Sequence, residues 1–237
     1  MNIIITGASK GIGYQTVLHL AKNQEDHIIA ISRDMNALEK LKNEVENINM
    51  AKLEIIGFDL AQKDYSSLTD KIIAYLSLDD GNSIEVLINN AGILVNKPFI
   101  ETDESDWQRT FDVNVFSAIR LIKKLYPYFN RENGSHILNI GSMGGIPGTK
   151  KFPGLAAYCA SKGTLNILTE MLATEFENEK IRVNSINPGG VNTEMFYSAF
   201  PGVKAPVQAE EMGEYIAHFA THAHKYMNGR LNQVSLK

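Results

Sequence analysis

The feature that most constrains the fold is an alternation of short β-branched runs with segments that have the apolar spacing of helices. Six runs read as strands, at Asn2–Thr6, His27–Ser32, Lys52–Phe58, Ile84–Ile88, Ser135–Ile140 and Ile181–Ile186. Chains of this kind form a parallel sheet covered by helices on both faces. No linker, internal repeat or low-complexity tract interrupts the 237 residues. We therefore predict one doubly wound α/β domain over residues 1–237.

Helices are predicted between these strands. They run through Val17 and Leu20, from Met35 to about Asn47, from Tyr65 to about Leu78, from Glu104 to about Phe129, and from Tyr158 through Leu172. Within the long fourth helix, Asn114 lies among apolar residues. A buried amide must find hydrogen-bond partners or it costs free energy. Asn114 is therefore either a structural hydrogen bonder or part of a site.

The charge and cysteine content narrow the function classes. A formal net charge of -4 and the lack of a sustained Lys/Arg run argue against non-specific binding to nucleic acid or anionic membranes. No run of about 18 apolar residues predicts a membrane span. Cys159 is the single cysteine, which excludes an intrachain disulfide, and no leader pattern opens the sequence. We expect a cytoplasmic protein with small, diffusible partners.

A glycine-rich turn directly follows the first strand. Its spacing is Gly7-x3-Gly11-x-Gly13, and the next residues begin a helix. Glycines let a backbone approach a ligand closely, and a helix N-terminus offers free N–H groups to a pyrophosphate. The pattern predicts a phosphate site, although a tight strand-to-helix turn also needs glycines for itself.

The residues after the second strand bear on the choice between NAD and NADP. A carboxylate there would accept hydrogen bonds from a ribose 2′-hydroxyl, whereas an arginine would pair with a 2′-phosphate. The sequence has Ser32-Arg33, and Lys10 in the glycine turn supplies a second cation. This favours NADP, the alternative being that both are ordinary surface charges.

Two more strand ends carry polar groups. Asp59, after the third strand, would accept a hydrogen bond from an adenine amino group or cap the next helix. Asn89-Asn90-Ala91-Gly92, after the fourth strand, suits a backbone held against a ligand, or is simply a well-made turn.

Tyr158 and Lys162 are four residues apart on one predicted helix and therefore share a face. A cation about 4 Å from a phenol favours the phenolate by roughly 4 kcal/mol at an effective dielectric of 20. That corresponds to about 3 pKa units, enough to make tyrosine an acid–base catalyst near neutral pH. The alternative is a solvated surface pair. Ser142, at the end of the fifth strand, is expected close to Tyr158.

These motifs together resemble the short-chain dehydrogenase/reductase family. They occur in the family's order over nearly the whole chain: Thr6–Gly13, Asp59-Leu60, Asn89–Gly92, Asn114, Ser142, Tyr158 with Lys162, and Pro188–Thr193. The resemblance implies a single-domain Rossmann fold with a doubly wound, mostly parallel seven-stranded sheet and a nicotinamide cofactor. It also implies a homo-oligomer, a dimer or commonly a tetramer.

The resemblance further implies a catalytic tetrad of Asn114, Ser142, Tyr158 and Lys162. Tyr158 would give or take the proton, Ser142 would hold the substrate oxygen, Lys162 would bind the nicotinamide ribose and lower the Tyr158 pKa, and Asn114 would order a water in a proton relay. With the arguments above, the expected cofactor contacts are Gly7, Ser9, Lys10, Gly11, Ile12, Gly13, Arg33, Asp59, Leu60, Asn90, Ala91, Gly92, Tyr158, Lys162, Pro188, Gly189, Val191 and Thr193. The loop from Pro188 to Thr193 would contact the nicotinamide amide.

The chain departs from the family pattern in two places. Only twelve residues separate Thr193 from the helix-start signal at Pro206, so the substrate lid, about residues 190–207, predicts an open or small pocket. Phe196, Tyr197 and Phe200 either line that pocket or pack in the core. Residues 228–237 resemble the seventh strand without the family's Asp-Gly-Gly tail.

The expected function is an NADP-dependent oxidoreductase that acts on a carbonyl or alcohol, with reduction of a ketone or aldehyde as the expected direction. The alternatives are a reductase of 3-oxoacyl thioesters and a dinucleotide sensor without turnover. The substrate would contact residues 93–99, residues 143–155 and the lid, where no phosphate- or carboxylate-binding cluster stands out. His218 and His222 lack grouped acids, so no metal site is predicted. Cys159 is expected to be a packing residue rather than a reactive thiol.

Overall fold

The architecture comes from a computed structural model that describes residues 1–47, 51–77 and 83–236. Its strands, numbered in chain order, are β1 (Asn2–Thr6), β2 (His27–Ser32), β3 (Lys52–Gly57), β4 (Val86–Asn89), β5 (Ser135–Ile140), β6 (Ile181–Pro188), β7 (Val191–Asn192), β8 (Val207–Gln208) and β9 (Leu231–Val234). Seven of these strands form one sheet in the order β3-β2-β1-β4-β5-β6-β9, and every pair in it is parallel. The predicted Rossmann-like sheet is confirmed.

The α-helices cover both faces of this sheet. They are α1 (Gly11–Leu20), α2 (Met35–Asn47), α3 (Ser66–Leu76), α4 (Glu104–Phe111), α5 (Ser117–Leu125), α6 (Ala156–Glu175), α7 (Glu194–Ala199) and α8 (Ala209–His222). The predicted end of the third helix at Leu78 falls outside the described residues. None of the described helices is long and apolar enough to cross a membrane.

The buried side chains form two apolar layers, one on each face of the sheet. Alternate residues of β1 divide between them: Ile3 and Ile5 pack in the layer under α1, α2 and α8, while Ile4 packs in the layer under α3 and α5. All three isoleucines are fully buried. A strand that is buried on both faces needs a continuous apolar run, which explains the Ile-Ile-Ile sequence.

The long helix expected from Glu104 to Phe129 is broken. It consists of α4, a π-helical turn over Asp112–Phe116, α5 and a 3-10 turn over Tyr126–Tyr128. Pro127 in the last turn has no N–H to continue an α-helix. The π turn inserts an extra residue and rotates the side chains that follow; such turns occur often at functional sites.

The segment after β6 folds into a small unit that the sequence did not predict. The two-residue strands β7 and β8 pair in parallel, and α7 lies between them. The start of α8 agrees with the sequence signal, because Gln208 and Glu211 form a reciprocal capping box. This unit brings the residues of the lid over the carboxyl end of the sheet.

Candidate active site

One cleft, with a volume of about 480 Å³, runs along the carboxyl ends of the strands. All the site residues predicted from the sequence line it, with the exception of Asn114. Asn114 lies behind the wall of the cleft and is 2% exposed. Parallel strands carry their carboxyl ends to one edge of the sheet, which is why residues from distant parts of the chain meet there.

The glycine turn packs tightly against the end of β4. Gly7 has a φ of +70°, which favours glycine, and a Cβ on Gly13 would lie 2.3 Å from the Gly7 carbonyl oxygen. The Asn90 amide donates to the carbonyls of Thr6 and Gly7 at 3.0 and 3.1 Å. Thr6 Oγ1 accepts from the N–H groups of Asn90 and Ala91 at 3.1 Å. The glycines are therefore needed for the turn itself, as the second interpretation proposed.

The same turn also presents donors to the cleft. Lys10 is the N-cap residue of α1, and its side chain makes no capping hydrogen bond. Lys10 therefore leaves the first N–H groups of α1 without a capping acceptor. N–H groups at this end of a helix are the ones that bind anions. This arrangement could hold a pyrophosphate.

The two cations proposed for a 2′-phosphate differ in their surroundings. Arg33 lines the cleft and forms no ion pair with any described carboxylate. Beside it, Ser32 Oγ donates to Ser9 Oγ at 2.8 Å. Lys10 instead pairs with Glu194 at the start of α7, with 2.5 Å between Nζ and Oε2. Arg33 is therefore the available cation at the end of β2.

Asp59 takes a local role in the turn after β3. Its Oδ1 accepts from the N–H of Ala61 at 3.1 Å, and its backbone carbonyl accepts from Gln62. This corresponds to the capping alternative, in a turn rather than at a helix. Leu60 next to it is buried under the cleft floor.

The loop from Pro188 to Thr193 is supported by the end of the chain. Gly189 donates its N–H to the carbonyl of Val234 at 2.9 Å, and a Cβ on Gly189 would lie 2.5 Å from Ser235 Oγ. Thr193 caps α7 by accepting from the N–H of Phe196 at 3.2 Å. The residues after β9 thus hold the loop in place without an Asp-Gly-Gly tail.

Ser142 and Tyr158 meet on the floor of the cleft. Ser142 follows β5, its N–H donates to Asn187 Oδ1 at 3.0 Å, and its Oγ accepts from the N–H of Gly144 at 3.1 Å. Burial raises the pKa of Tyr158, because a phenolate would be shielded from water, while a hydrogen bond with Ser142 acts in the opposite direction. The two hydroxyls form a pair of donors that could bind one carbonyl oxygen.

Lys162 lies beneath this pair. It is 3% exposed, and its Nζ donates to the carbonyl of Ile140 at 2.7 Å. Its Nζ is 6.0 Å from the centre of the Tyr158 ring. Burial lowers the pKa of Lys162 to about 8. The sequence argument assumed a closer cation and a lowered Tyr158 pKa; in the structure the cation lies 6.0 Å from the ring centre, and burial raises the pKa of the phenol.

Asn114, in the π turn, connects three segments behind the cleft. Its Oδ1 accepts from the N–H of Ile93 at 2.8 Å, and its Nδ2 donates to the Ile93 carbonyl at 3.0 Å and to Ser161 Oγ at 2.9 Å. A Cβ on Gly92 would lie 3.4 Å from Lys162 Nζ and 3.5 Å from Asn114 Oδ1. The structural interpretation of Asn114 therefore agrees with these contacts, and its part in a proton relay stays a prediction.

Among the cleft residues that the sequence analysis did not single out, three adjacent ones stand together. The loop between β5 and α6 contributes them: Lys150, Lys151 and Phe152 all line the cleft. Phe152 packs edge-on against Phe200, which also contacts Phe196; both pairs of ring centres are 5.1 Å apart. The two lid phenylalanines line the cleft, whereas Tyr197 does not. Adjacent lysines in a loop of the substrate region were the one available signal.

The remaining reactive groups are the possible metal ligands and the thiol of Cys159. Among the residues that the structure describes, no three His, Cys, Asp or Glu side chains are grouped as a metal site would require. Cys159 is half-buried and lines the cleft, and burial raises the pKa of its thiol. A raised pKa disfavours the nucleophilic thiolate.

Comparison with known proteins agrees with this geometry. The family model described as short chain dehydrogenase matches residues 1–203. An uncharacterized oxidoreductase of Staphylococcus saprophyticus is 33% identical over 198 residues, which cover 81% of this chain and 75% of the relative. The NADP-dependent 3-hydroxy acid dehydrogenase of Schizosaccharomyces pombe is 31% identical over 203 residues, or 85% of this chain and 76% of that protein.

A solved structure gives the same result. The 3-ketoacyl-(acyl-carrier-protein) reductase of Brucella melitensis, complexed with NADH, superposes with a TM-score of 0.82 and 25% identity. The match covers 98% of this chain and 96% of that one. The family model spans most of the chain, and the sheet order and the cleft agree with it. The chain therefore belongs to the short-chain dehydrogenase/reductase family of oxidoreductases.

Proposed function

We propose that this oxidoreductase is NADP-dependent and reduces a ketone or aldehyde. The observation that carries the proposal is the arrangement of Ser142 and Tyr158, two hydroxyl donors on the floor of a cleft that also contains the glycine turn and Arg33. When bound, the nicotinamide supplies the hydride. The glycine turn, the N-terminus of α1 and the loop from Pro188 to Thr193 would hold the cofactor.

The chain's own residues act on the oxygen of the substrate. As negative charge grows on that oxygen, donors fixed in advance stabilise the transition state more than the ground state. Tyr158 delivers the proton, and Ser142 holds the oxygen by a hydrogen bond. Lys162, whose cation lies under the phenol, favours the tyrosinate that remains after the transfer. Asn114 holds Ile93 and Ser161 around this centre.

The cofactor preference rests on Arg33. The Schizosaccharomyces relative is named as NADP-dependent, whereas the Brucella reductase was solved with NADH, so relatives alone do not decide it. Arg33 has no carboxylate partner among the described residues, and it follows β2, the position from which an arginine can bind a 2′-phosphate in dinucleotide-binding folds. An arginine can bind a phosphate through two parallel hydrogen bonds.

The first prediction concerns this preference. Fluorescence titration should show NADPH binding about tenfold or more tightly than NADH, a difference of about 1.4 kcal/mol. Arg33→Asp should abolish the preference, because it replaces the cation with a charge that repels phosphate. Lys10→Met is the matched control: it should change the preference less, since Lys10 is already paired with Glu194. NADH binding as tightly as NADPH to the unmodified chain would refute the proposal.

The second prediction separates an enzyme from a dinucleotide sensor. Tyr158→Phe removes one hydroxyl at the floor of the cleft and leaves the glycine turn intact. It should lower turnover by about two to four orders of magnitude, the usual contribution of a general acid, with NADPH affinity unchanged. Carbonyl reduction that survives in this variant would contradict the assignment of Tyr158.

The alternative activity, reduction of 3-oxoacyl thioesters, is favoured by the reductase activity in the name of the Brucella structure. Steady-state assays with acetoacetyl thioesters and with simple ketones distinguish the two possibilities. A higher kcat/KM for the thioester by about tenfold or more would favour the alternative.

We further propose a cytoplasmic homo-oligomer. The support for the location is the single, free Cys159, and the support for assembly is the pair of exposed apolar side chains Ile167 and Met171 on α6, 61% and 52% exposed. Light scattering on the purified chain measures the oligomeric state, and a monomer would contradict the second part.

A further inference from the structure

The loop between β5 and α6 brings two cations to the cleft, Lys150 and Lys151. Among the described residues that line the cleft, the carboxylates are Asp59, which follows β3, and Glu194, which pairs with Lys10 at 2.5 Å. Neither lysine forms an ion pair with a carboxylate among the residues that the structure describes. The part of the cleft that this loop lines therefore carries positive charge.

Lys151 is held in a fixed position. Its Nζ donates to the carbonyl of Ile146 at 2.6 Å and to Thr149 Oγ1 at 2.7 Å. Thr149 Oγ1 in turn donates to the carbonyl of Met143 at 2.6 Å. Met143 directly follows Ser142, so a short chain of hydrogen bonds connects the ammonium to the residue that would hold the substrate oxygen.

The ammonium of Lys151 has capacity for one more acceptor. A lysine ammonium carries three N–H donors, and two of them are engaged by Ile146 and Thr149. Both of these acceptors are neutral and leave the positive charge uncompensated. Its field reaches the thiol of Cys159, where the charge of Lys151 opposes the effect of burial on the pKa.

Lys150 is placed differently. Its Nζ lies 5.2 Å from the centre of the Phe152 ring, in a cation–π contact. No hydrogen bond of its ammonium is found in the described part of the chain. Lys150 therefore fixes the aromatic ring, whereas Lys151 presents a charge beside the catalytic loop.

The remaining walls are apolar. Leu94, Leu155, Phe196 and Phe200 line the same cleft as Lys151. An apolar pocket with one oriented charge selects a ligand that has an apolar body and one group of opposite charge. A neutral sugar would leave these walls without matching contacts.

We propose that Lys151 binds an anionic group of the substrate, and that the substrates are apolar aldehydes or ketones that carry a carboxylate or a phosphate. This inference rests on the proposed carbonyl reduction in the same cleft. It assigns Lys151 to specificity and not to proton transfer, so its loss should raise KM and leave kcat nearly unchanged.

Binding of three small probes to the full chain, with and without saturating NADP⁺, tests the subsite. The probes are 4-methylbenzoate, its methyl ester and 4-methylphenyl phosphate, which share one apolar body. The unmodified protein should bind at least one anion about tenfold more tightly than the ester. The stronger of the two anions identifies a carboxylate or a phosphate as the recognised group.

Three variants are compared: Lys151→Met, Lys150→Met and, as a matched loss of charge on a distant helix, Lys71→Met. In Lys151→Met the preference for the anion should fall below about threefold, while Lys71→Met should retain it. Equal binding of ester and anions, no measurable binding of either anion, or a preference that disappears in Lys150→Met and survives in Lys151→Met would overturn the proposal.

Turnover measurements distinguish a failure of the proposed subsite from a failure of the proposed function. Reduction of 4-carboxybenzaldehyde is compared with that of methyl 4-formylbenzoate, with KM and kcat measured for each. A lower KM for the acid that is lost in Lys151→Met supports the inference. Anion binding that depends on Lys151, without reduction of either aldehyde, would leave the subsite intact and refute carbonyl reduction. Reduction of both aldehydes with equal KM would refute the subsite alone.

Discussion

Among single residues, Lys162 lowers the stability of the fold by burying a charge, and the same charge serves the proposed chemistry. Its ammonium is 3% exposed and has one described hydrogen-bond partner, the carbonyl of Ile140. Burying a charge that is not paired with an opposite charge costs free energy, which is why its pKa falls to about 8. A residue kept at such a cost is expected to serve function.

The third prediction follows from this cost. Lys162→Met should raise the free energy of unfolding at pH 7, by about 3 kcal/mol at most, and should abolish turnover. The folded pKa lies below the unfolded one, so the penalty in the unmodified protein is complete below about pH 8 and disappears as the pH rises toward 10.5.

Urea unfolding of the two proteins between pH 7 and pH 10 measures the effect. The advantage of Lys162→Met should shrink as the pH rises. An advantage that is constant over this range would show that packing, and not charge burial, is the cause.

At this scale, motifs with a fixed spacing allowed the positions of site residues to be predicted from the sequence, while the roles of these residues stay predictions. Tyr158, Lys162 and Ser142 share one cleft because strand ends and helix faces can be predicted from periodicity. Prediction from the sequence failed for Lys151, because the loop between β5 and α6 has no period, and only the fold shows that its lysines line the cleft. The sequence also could not predict the raised pKa of Tyr158, because the burial of the phenol depends on the surrounding elements.

Among elements, the interruption between α4 and α5 matters most. An apolar period from Glu104 to Phe129 predicts one helix, and the period alone cannot reveal that the chain changes to π geometry at Asp112–Phe116. The amide of Asn114 was the visible sign, since a buried amide requires partners that a regular helix surface does not provide. The short β7 and β8 strands were missed because two residues carry no pattern.

The fourth prediction concerns Asn114. Asn114→Ala leaves the N–H and the carbonyl of Ile93 without their partners in a buried place, so the free energy of unfolding should fall by about 2 to 3 kcal/mol. The exposed amide of Asn133 provides the control, and Asn133→Ala should change stability by about 0.5 kcal/mol or less. Similar values for both variants in urea unfolding would mean that the Asn114 contacts are weak.

At the scale of the whole molecule, a buried imidazole joins the sheet to its covering helix. His136 in β5 is fully buried, and its Nδ1–H donates to the carbonyl of Ala220 in α8 at 2.8 Å. Its Nε2 accepts from Asn184 Nδ2 at 3.0 Å. Asn184 cannot rotate without loss, because its amide also binds Met227 and Arg230. His136 is therefore held neutral, and burial lowers its pKa to about 4.

The fifth prediction is a loss of global stability in acid. The unfolded chain takes up the proton near the usual histidine pKa, and the folded chain does so only near pH 4, so stability should fall between about pH 6.5 and pH 4. His136 contributes up to about 3 kcal/mol to this fall. His136→Met should be less stable at pH 7 but less sensitive to acid.

Urea unfolding at several pH values checks this prediction, with His218→Gln as an exposed control that should retain the full sensitivity to acid. If His136→Met lost stability in acid as steeply as the unmodified protein, the fall would belong to other groups. The neutral His224 ring nearby, whose pKa is also lowered by burial, would then be the next candidate.

The order of the strands was predictable because parallel alternation leaves few topologies. The shape of the cleft was not. The short lid predicts an open or small pocket, but it does not predict the contacts of Phe200 with Phe152 and Phe196 that join the lid to the loop between β5 and α6. Contacts between segments nearly fifty residues apart cannot be read from either segment alone.

The order of the strands in the sheet also determines how the sheet can assemble while the chain is being synthesised. Of the seven strands, β1 is synthesised before the others and ends in the interior of the sheet; β2 and β3 then extend one side, and β4, β5, β6 and β9 extend the other. Each new strand joins an edge that is already open, so none has to be inserted between two paired neighbours. A growing chain can therefore assemble as it emerges, but every partial sheet exposes an unpaired edge to other chains. The last strand to arrive, β9, protects one side of the finished sheet and completes the support of the loop from Pro188 to Thr193.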